Sequence, residues 1–186
     1  MNESTKVLYR EIQERYVKVI WTHKIQLCQA GIYKKKSKCH NTLLAVLSVL
    51  VSAAAITNVL KWLSEDIMVP VLAVLSLALT FFTVLYKSED LSKAATDNEH
   101  FAATMHDLRN RYAALLSDIK AGLMKDNELV QRRDVLEREE SLIYSGLVPF
   151  TSKEAVVMAE ELLKSKQEST TTDKEIEIMV SKNLQL

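Results

Sequence analysis

Two stretches of this chain carry no formally charged residue, nineteen positions from Thr42 to Leu60 and twenty from Ile67 to Tyr86. At ~1.5 Å per residue each makes a helix about 30 Å long, the thickness of a bilayer's hydrocarbon core. A soluble core helix can be as apolar, but two in tandem between charged flanks read as membrane spans. The first begins only after some forty largely polar residues, which does not fit a signal peptide.

The flanks orient the pair. Lys34, Lys35, Lys36 and Lys38 precede the first span and Lys87 follows the second, while the connection Lys61-Trp62-Leu63-Ser64-Glu65-Asp66 nets one negative charge. By the positive-inside rule the lysine side is cytoplasmic and the short loop lies outside, so both termini are expected in the cytoplasm. Trp62 and Tyr86 fall where aromatic rings favour the headgroup region. Pro70 is harmless if the second helix begins there and kinks it if it begins earlier.

Over the whole chain charge is balanced, 24 Lys and Arg against 24 Asp and Glu. That balance gives no reason to expect direct nucleic-acid binding. With three glycines and two prolines in 186 residues, the chain lacks the turn residues of a β-rich fold. The expected class is an all-α membrane protein: a two-helix transmembrane hairpin with a cytoplasmic bundle built from an N-terminal helix and several C-terminal helices. Its expected parts are a cytoplasmic amphipathic helix over 1–41, the hairpin over 42–86 (spans 42–60 and 67–86, outer loop 61–66), cytoplasmic helices over 87–168, and a linker with a short terminal helix over 169–186. Cys28 and Cys39, eleven residues apart on one helix, are about 16 Å from each other, too far for a disulfide.

Small and weakly polar residues inside the spans recur with helical rhythm. Ala45, Ser48, Ser52 and Ala55 form one stripe; Ala73, Ser76, Thr80 and Thr83 form another. Such stripes let transmembrane helices approach closely, or line a water-filled path in an oligomer, and the candidate pore or packing positions are Ser48, Ser52, Ser76, Thr80 and Thr83. Glu65 and Asp66 are candidates for an acidic outer mouth, and Asn58 adds a polar group near the outer end of the first span. Neither span holds Asp, Glu, Lys, Arg or His, so neither a proton relay nor a voltage sensor is expected.

Residues 5–33 read as an amphipathic helix with Leu8, Ile12, Tyr16, Val19 and Leu27 along one side. Beyond the second span, Leu91, Asn98, Phe101, Met105, Leu108, Tyr112 and Leu115 alternate by threes and fours within a longer run that includes Ala94 and Ile119. This is a seam for another helix, either the N-terminal helix of the same chain or the same helix of a neighbouring subunit. Asn98 is a residue that fixes register in such a seam. A further helix is expected over 126–145, and another after a capping box at Thr151-Ser152-Lys153-Glu154.

No phosphate-binding glycine loop, metal-ligand spacing or nucleophile with a base appears; no catalytic, metal or cofactor site is expected, and the chain does not read as an enzyme. His100 and His106, six apart, fall on different helix faces. The arginines Arg109, Arg111, Arg132 and Arg133 read as solvated helix faces.

Trp21-Thr22-His23-Lys24, Ala30-Gly31-Ile32-Tyr33 and the two spans resemble the start of a SLATT domain, the two-transmembrane effector family associated with SMODS nucleotidyltransferases and SLOG sensor proteins. The likeness continues through His100, Leu108-Arg109-Asn110-Arg111-Tyr112, Leu116-Ser117-Asp118-Ile119, Arg133-Asp134-Val135-Leu136, Ile143-Tyr144, Pro149-Phe150-Thr151 and Asp173-Lys174-Glu175-Ile176. Each motif is short, so their order and spacing carry the resemblance. It implies a bacterial conflict-system effector, an antiviral membrane protein that oligomerises and forms a pore or disrupts the inner membrane when triggered by a nucleotide signal or a partner, such as a nucleotide-producing or sensor protein encoded nearby. A nonconducting membrane-anchored helical scaffold is the alternative. The hairpin and its helical collar are expected to account for all 186 residues, which leaves the trigger to a partner or to direct action on the collar.

Overall fold

The structure, a computed structural model, describes residues 3–59, 64–88 and 90–165. Five α-helices make up these residues: α1 Glu3–Val59, α2 Glu65–Ser88, α3 Leu91–Lys120, α4 Asp126–Ser145 and α5 Lys153–Ser165. They divide into two compact units, one of residues 1–29 and 98–186 and one of residues 30–97. The first unit is called the collar below and the second the hairpin.

α1 runs for 57 residues without a break. Gly31 lies inside it, and a Cβ built there meets nothing within 4 Å, so this glycine neither ends the helix nor marks a close approach. The amphipathic stretch and the first span are therefore one helix.

In the collar, side-chain contacts fix the helix directions. Thr5 donates to Asp126 at 3.0 Å, Arg15 pairs with Glu137 at 2.6 Å and Glu140 at 3.2 Å, and the Thr22 and Tyr144 hydroxyls lie 2.8 Å apart. Numbers rise together on both helices, so α1 and α4 run in the same direction. Arg111 pairs with Glu139 and Arg132 with Asp118, so α3 runs opposite to both. The reversal between α3 and α4 is a Schellman turn. Gly122 takes φ +67°, its N–H donates to Ile119 O at 3.1 Å, and the Leu123 N–H reaches back to Asp118 O at 3.1 Å.

The collar core consists of Ile12 and Val19 of α1, Phe101, Met105, Leu108, Tyr112, Leu115 and Ile119 of α3, and Leu129 and Leu136 of α4. Six of the seven seam positions, from Asn98 to Leu115, are thus buried inside the chain, with the N-terminal helix as one partner and α4 as a second; Leu91 lies in the hairpin unit and is half-buried. α5 starts differently from the sequence expectation. Ser152, not Thr151, caps it, its Oγ accepting the Ala155 N–H at 3.3 Å, and the Ser152 N–H donates to Gln29 Oε1 at 2.7 Å.

The outer loop positions 61–63, the side chains of Asn58 and Glu65, and the terminal stretch 169–186 lie outside the described residues.

Candidate functional site

The hairpin unit is where this chain departs from a water-soluble helical protein. The apolar windows of its two spanning-length helices are 0% and 6% buried inside the chain, which no soluble core helix would be.

Each helix nonetheless has a less exposed side. On α1 it comprises Leu44, Leu47, Val51, Ala54, Ala55 and Thr57; on α2 it comprises Met68, Leu72, Leu75, Ser76, Ala78, Leu79, Phe82 and Tyr86. Large apolar side chains make up most of that side. At the lysine-rich end the His40 and Tyr86 rings stack with centroids 3.7 Å apart, and Tyr86 also stacks on Phe82 at 5.7 Å. These rings tie the two helices together where the span ends. α2 begins at Glu65, so Pro70 sits in its second turn and not at its start.

Four of the five hydroxylated candidates fall elsewhere. Ser48, Ser52, Thr80 and Thr83 are exposed, Ser76 is half-buried, and Asp66 is exposed. Every one of those four hydroxyls donates to a carbonyl of its own helix: Ser48 to Leu44 at 2.8 Å, Ser52 to Ser48 at 2.9 Å, Thr80 to Ser76 at 2.9 Å and Thr83 to Leu79 at 2.7 Å. With each hydrogen turned inward, what the stripes present outward is oxygen lone pairs.

The collar holds the buried polar chemistry. Glu140, 4% exposed, accepts from the Tyr112 hydroxyl at 2.8 Å and from Arg15 at 3.2 Å. Burial first, and then the hydrogen bond and charge of Glu140, push the Tyr112 phenol well above its ordinary range. Arg133 reaches Glu11 at 3.4 Å, so two arginines join α1 to α4. His23 of α1 and His106 of α3 meet with ring centroids 5.3 Å apart. Burial, then the positive charges of Arg109, His106 and Lys24, hold His23 down at about 4, so it is neutral near pH 7.

Sequence spacing had no means of finding the His23–His106 or His40–Tyr86 pairs, because each joins residues more than forty positions apart. The arginines were visible, but not their cross-helix partners. Among the described residues no group of three or more His, Cys, Asp or Glu side chains is arranged to hold a metal ion.

Two uncovered apolar helices of spanning length make a two-transmembrane module. A family model described as SMODS and SLOG-associating 2TM effector domain family 4 matches residues 8–175. The chain belongs to that family. No curated protein and no solved structure matches it. As a SLATT-family member it is a two-transmembrane effector domain of the kind associated with conflict systems, and its two apolar helices fit a membrane protein.

Proposed function

We propose that this SLATT-family protein is a pore-forming or membrane-disrupting effector that works as a homo-oligomer in a bacterial inner membrane, with both termini in the cytoplasm. The observation that carries the reading is the outward aim of the hydroxyl stripes. Ser48, Ser52, Thr80 and Thr83 are exposed, while leucines and aromatic rings dominate the less exposed side of each helix. Two helices cannot enclose a water path, so the stripes acquire a role only when further copies meet around them. Turned inward in a ring, hydroxyl oxygens with their hydrogens already committed offer acceptors, which favour cations. Asp66, with Glu65 beside it in sequence, would add a negative outer mouth.

The trigger in this reading is a nucleotide signal or a partner protein encoded nearby, acting on the collar. Bilayer lipid is the other partner; direct binding to nucleic acid has no part in it, nor does catalysis or a cofactor.

Co-expression of the chain with its neighbouring genes, and reconstitution in dye-loaded vesicles, tests it. Leakage under the condition that arrests cells is expected; an intact barrier under every such condition overturns the pore. The scaffold reading has one observation of its own, the exposed turn of Leu147, Val148 and Phe150 between α4 and α5, with Leu147 94% and Phe150 70% exposed. It requires that replacing both spans by polyleucine helices preserve function, and the pore reading requires that this abolish it.

A further inference from the structure

A cavity of about 570 Å³ opens within the hairpin unit, between the stretch of α1 around the start of the first span and the first two turns of α3. Its lining changes along the α1 axis. Lys34 and Lys38, one turn apart, supply two ammonium groups at one end with Ser37 between them, followed by Asn41 and Thr42, and the α1 wall ends on the apolar Ala45 and Val46. Across from them stand Ser92, Ala95 and Thr96 of α3. A smaller neighbour of about 420 Å³ shares Ser37, Asn41 and Ser92 and includes Asp90, but the Asp90 carboxylate accepts the Lys93 N–H at 2.9 Å, capping the start of α3.

We infer that this cavity is a binding site for one anionic phospholipid, with the headgroup phosphate at Lys34 and Lys38 and the upper part of an acyl chain against Ala45 and Val46. The charge order matches the molecule: cations where the phosphodiester lies, then hydroxyl and amide groups at the depth of the glycerol and ester linkages, then an apolar wall where the span begins. The hydroxyls divide by role. Thr42 and Thr96 donate to the carbonyls of Lys38 and Ser92, at 2.9 and 3.0 Å, so their oxygens remain as acceptors suited to a hydroxylated headgroup such as glycerol. A free phosphate would have no use for the Ala45 and Val46 wall. Lys35 and Lys36 lie in the same basic run and do not line the cavity, so a seated lipid and a diffuse attraction to a charged membrane make different demands on the four lysines. The inference rests on the hairpin's place in a membrane and not on conduction; absence of leakage leaves it standing, whereas failure of the chain to insert removes both.

The test is native mass spectrometry of the full chain in detergent, titrated with phosphatidylglycerol or with phosphatidylcholine. Phosphatidylglycerol is expected to bind in one-to-one stoichiometry and in preference to phosphatidylcholine. Lys34→Gln with Lys38→Gln is expected to weaken it about tenfold or more. Lys35→Gln with Lys36→Gln, which removes the same charge, should leave it near the wild-type value. Thr96→Trp, which fills the cavity from an exposed position while keeping every lysine, should abolish the one-to-one species. Equal weakening by the two lysine pairs, an unchanged lipid adduct in Thr96→Trp, or no preference for the anionic lipid would overturn the site. Displacement by soluble glycerol phosphate at the concentration that saturates with lipid would also overturn it, in favour of a water-soluble ligand.

Discussion

The collar and the hairpin are both helical, and they part company over where their large apolar side chains point. In the collar Ile12, Met105 and Tyr112 are 0% exposed and Leu108 1%. In the hairpin Val49, Val74, Leu77, Phe81 and Val84 are between 60% and 72% exposed, while the polar groups turn their hydrogens inward. One unit solves the folding problem for water, with a buried core and ion pairs across its helices. The other has the same backbone with its apolar surface outside, which is stable only where the surroundings are themselves apolar. The contrast is one of solvent, and mutations should expose it.

The largest effect is expected in the collar core. Leu108→Ala should cost about 3 kcal/mol, read as a fall in the thermal midpoint of the full chain in detergent, because its side chain leaves a cavity between helices. Leu77→Ala in the second span, 72% exposed, should change that midpoint hardly at all. Comparable losses at the two positions would break the distinction between the units.

Next comes the buried ion pair. Arg15→Ala leaves Glu140, its side chain 5% exposed, with the Tyr112 hydroxyl but without its cation, and about 2 kcal/mol of stability should be lost, less than for a fully buried pair because Arg15 is 34% exposed. The companion Glu140→Gln should lose less, since an amide can still accept from Tyr112.

A smaller effect depends on pH. His23 titrates at about 4 in the folded chain against an ordinary 6.5. Because the unfolded chain takes up its proton first, this stability is complete above about pH 6.5 and declines as pH falls towards 4. With His23 only half-buried, the loss should be on the order of 1 kcal/mol. Unfolding midpoints measured across that window should slope in the wild type and flatten in His23→Gln; an equal slope in both would assign the acid sensitivity to other groups.

How much of this was legible beforehand varies with the physics involved. The spans were readable because membrane placement is written in uninterrupted runs of uncharged residues, and the α3 core because its threes and fours persist from Asn98 to Ile119. The identity of the partner packed against that seam was not. Heptad spacing describes one helix face and says nothing of whether α1, α4 or another chain covers it. The stripes were legible as stripes, yet their direction was not, since Ser52 and Val51 are adjacent in sequence and turn to different sides. The cap of α5 falls at Ser152, one residue beyond the start of the local Thr-x-x-Glu pattern, where the backbone N–H donates to Gln29 of α1, a tertiary bond that no local pattern encodes. The lysine cavity needed the first turns of α3 beside α1, a proximity that no local pattern encodes.

The smallest expected change in stability accompanies the change that matters most for function. Ser52→Cys and Thr80→Cys, each introduced with Cys28→Ser and Cys39→Ser and compared with Leu77→Cys, replace side chains that make no contribution to the hairpin's inner contact. Each should leave insertion and the thermal midpoint within about 0.5 kcal/mol of the parent. Their reaction with a membrane-impermeant, water-soluble thiol reagent, in cells where the protein has been triggered, is the most direct test of the central claim. Labelling at positions 52 and 80 on triggering, with Leu77→Cys silent throughout, is the result expected if the outward stripes meet water in an assembled pore. Silence at both stripe positions alongside full membrane insertion would contradict it, and would leave the stripes as surfaces that only lipid or another helix covers.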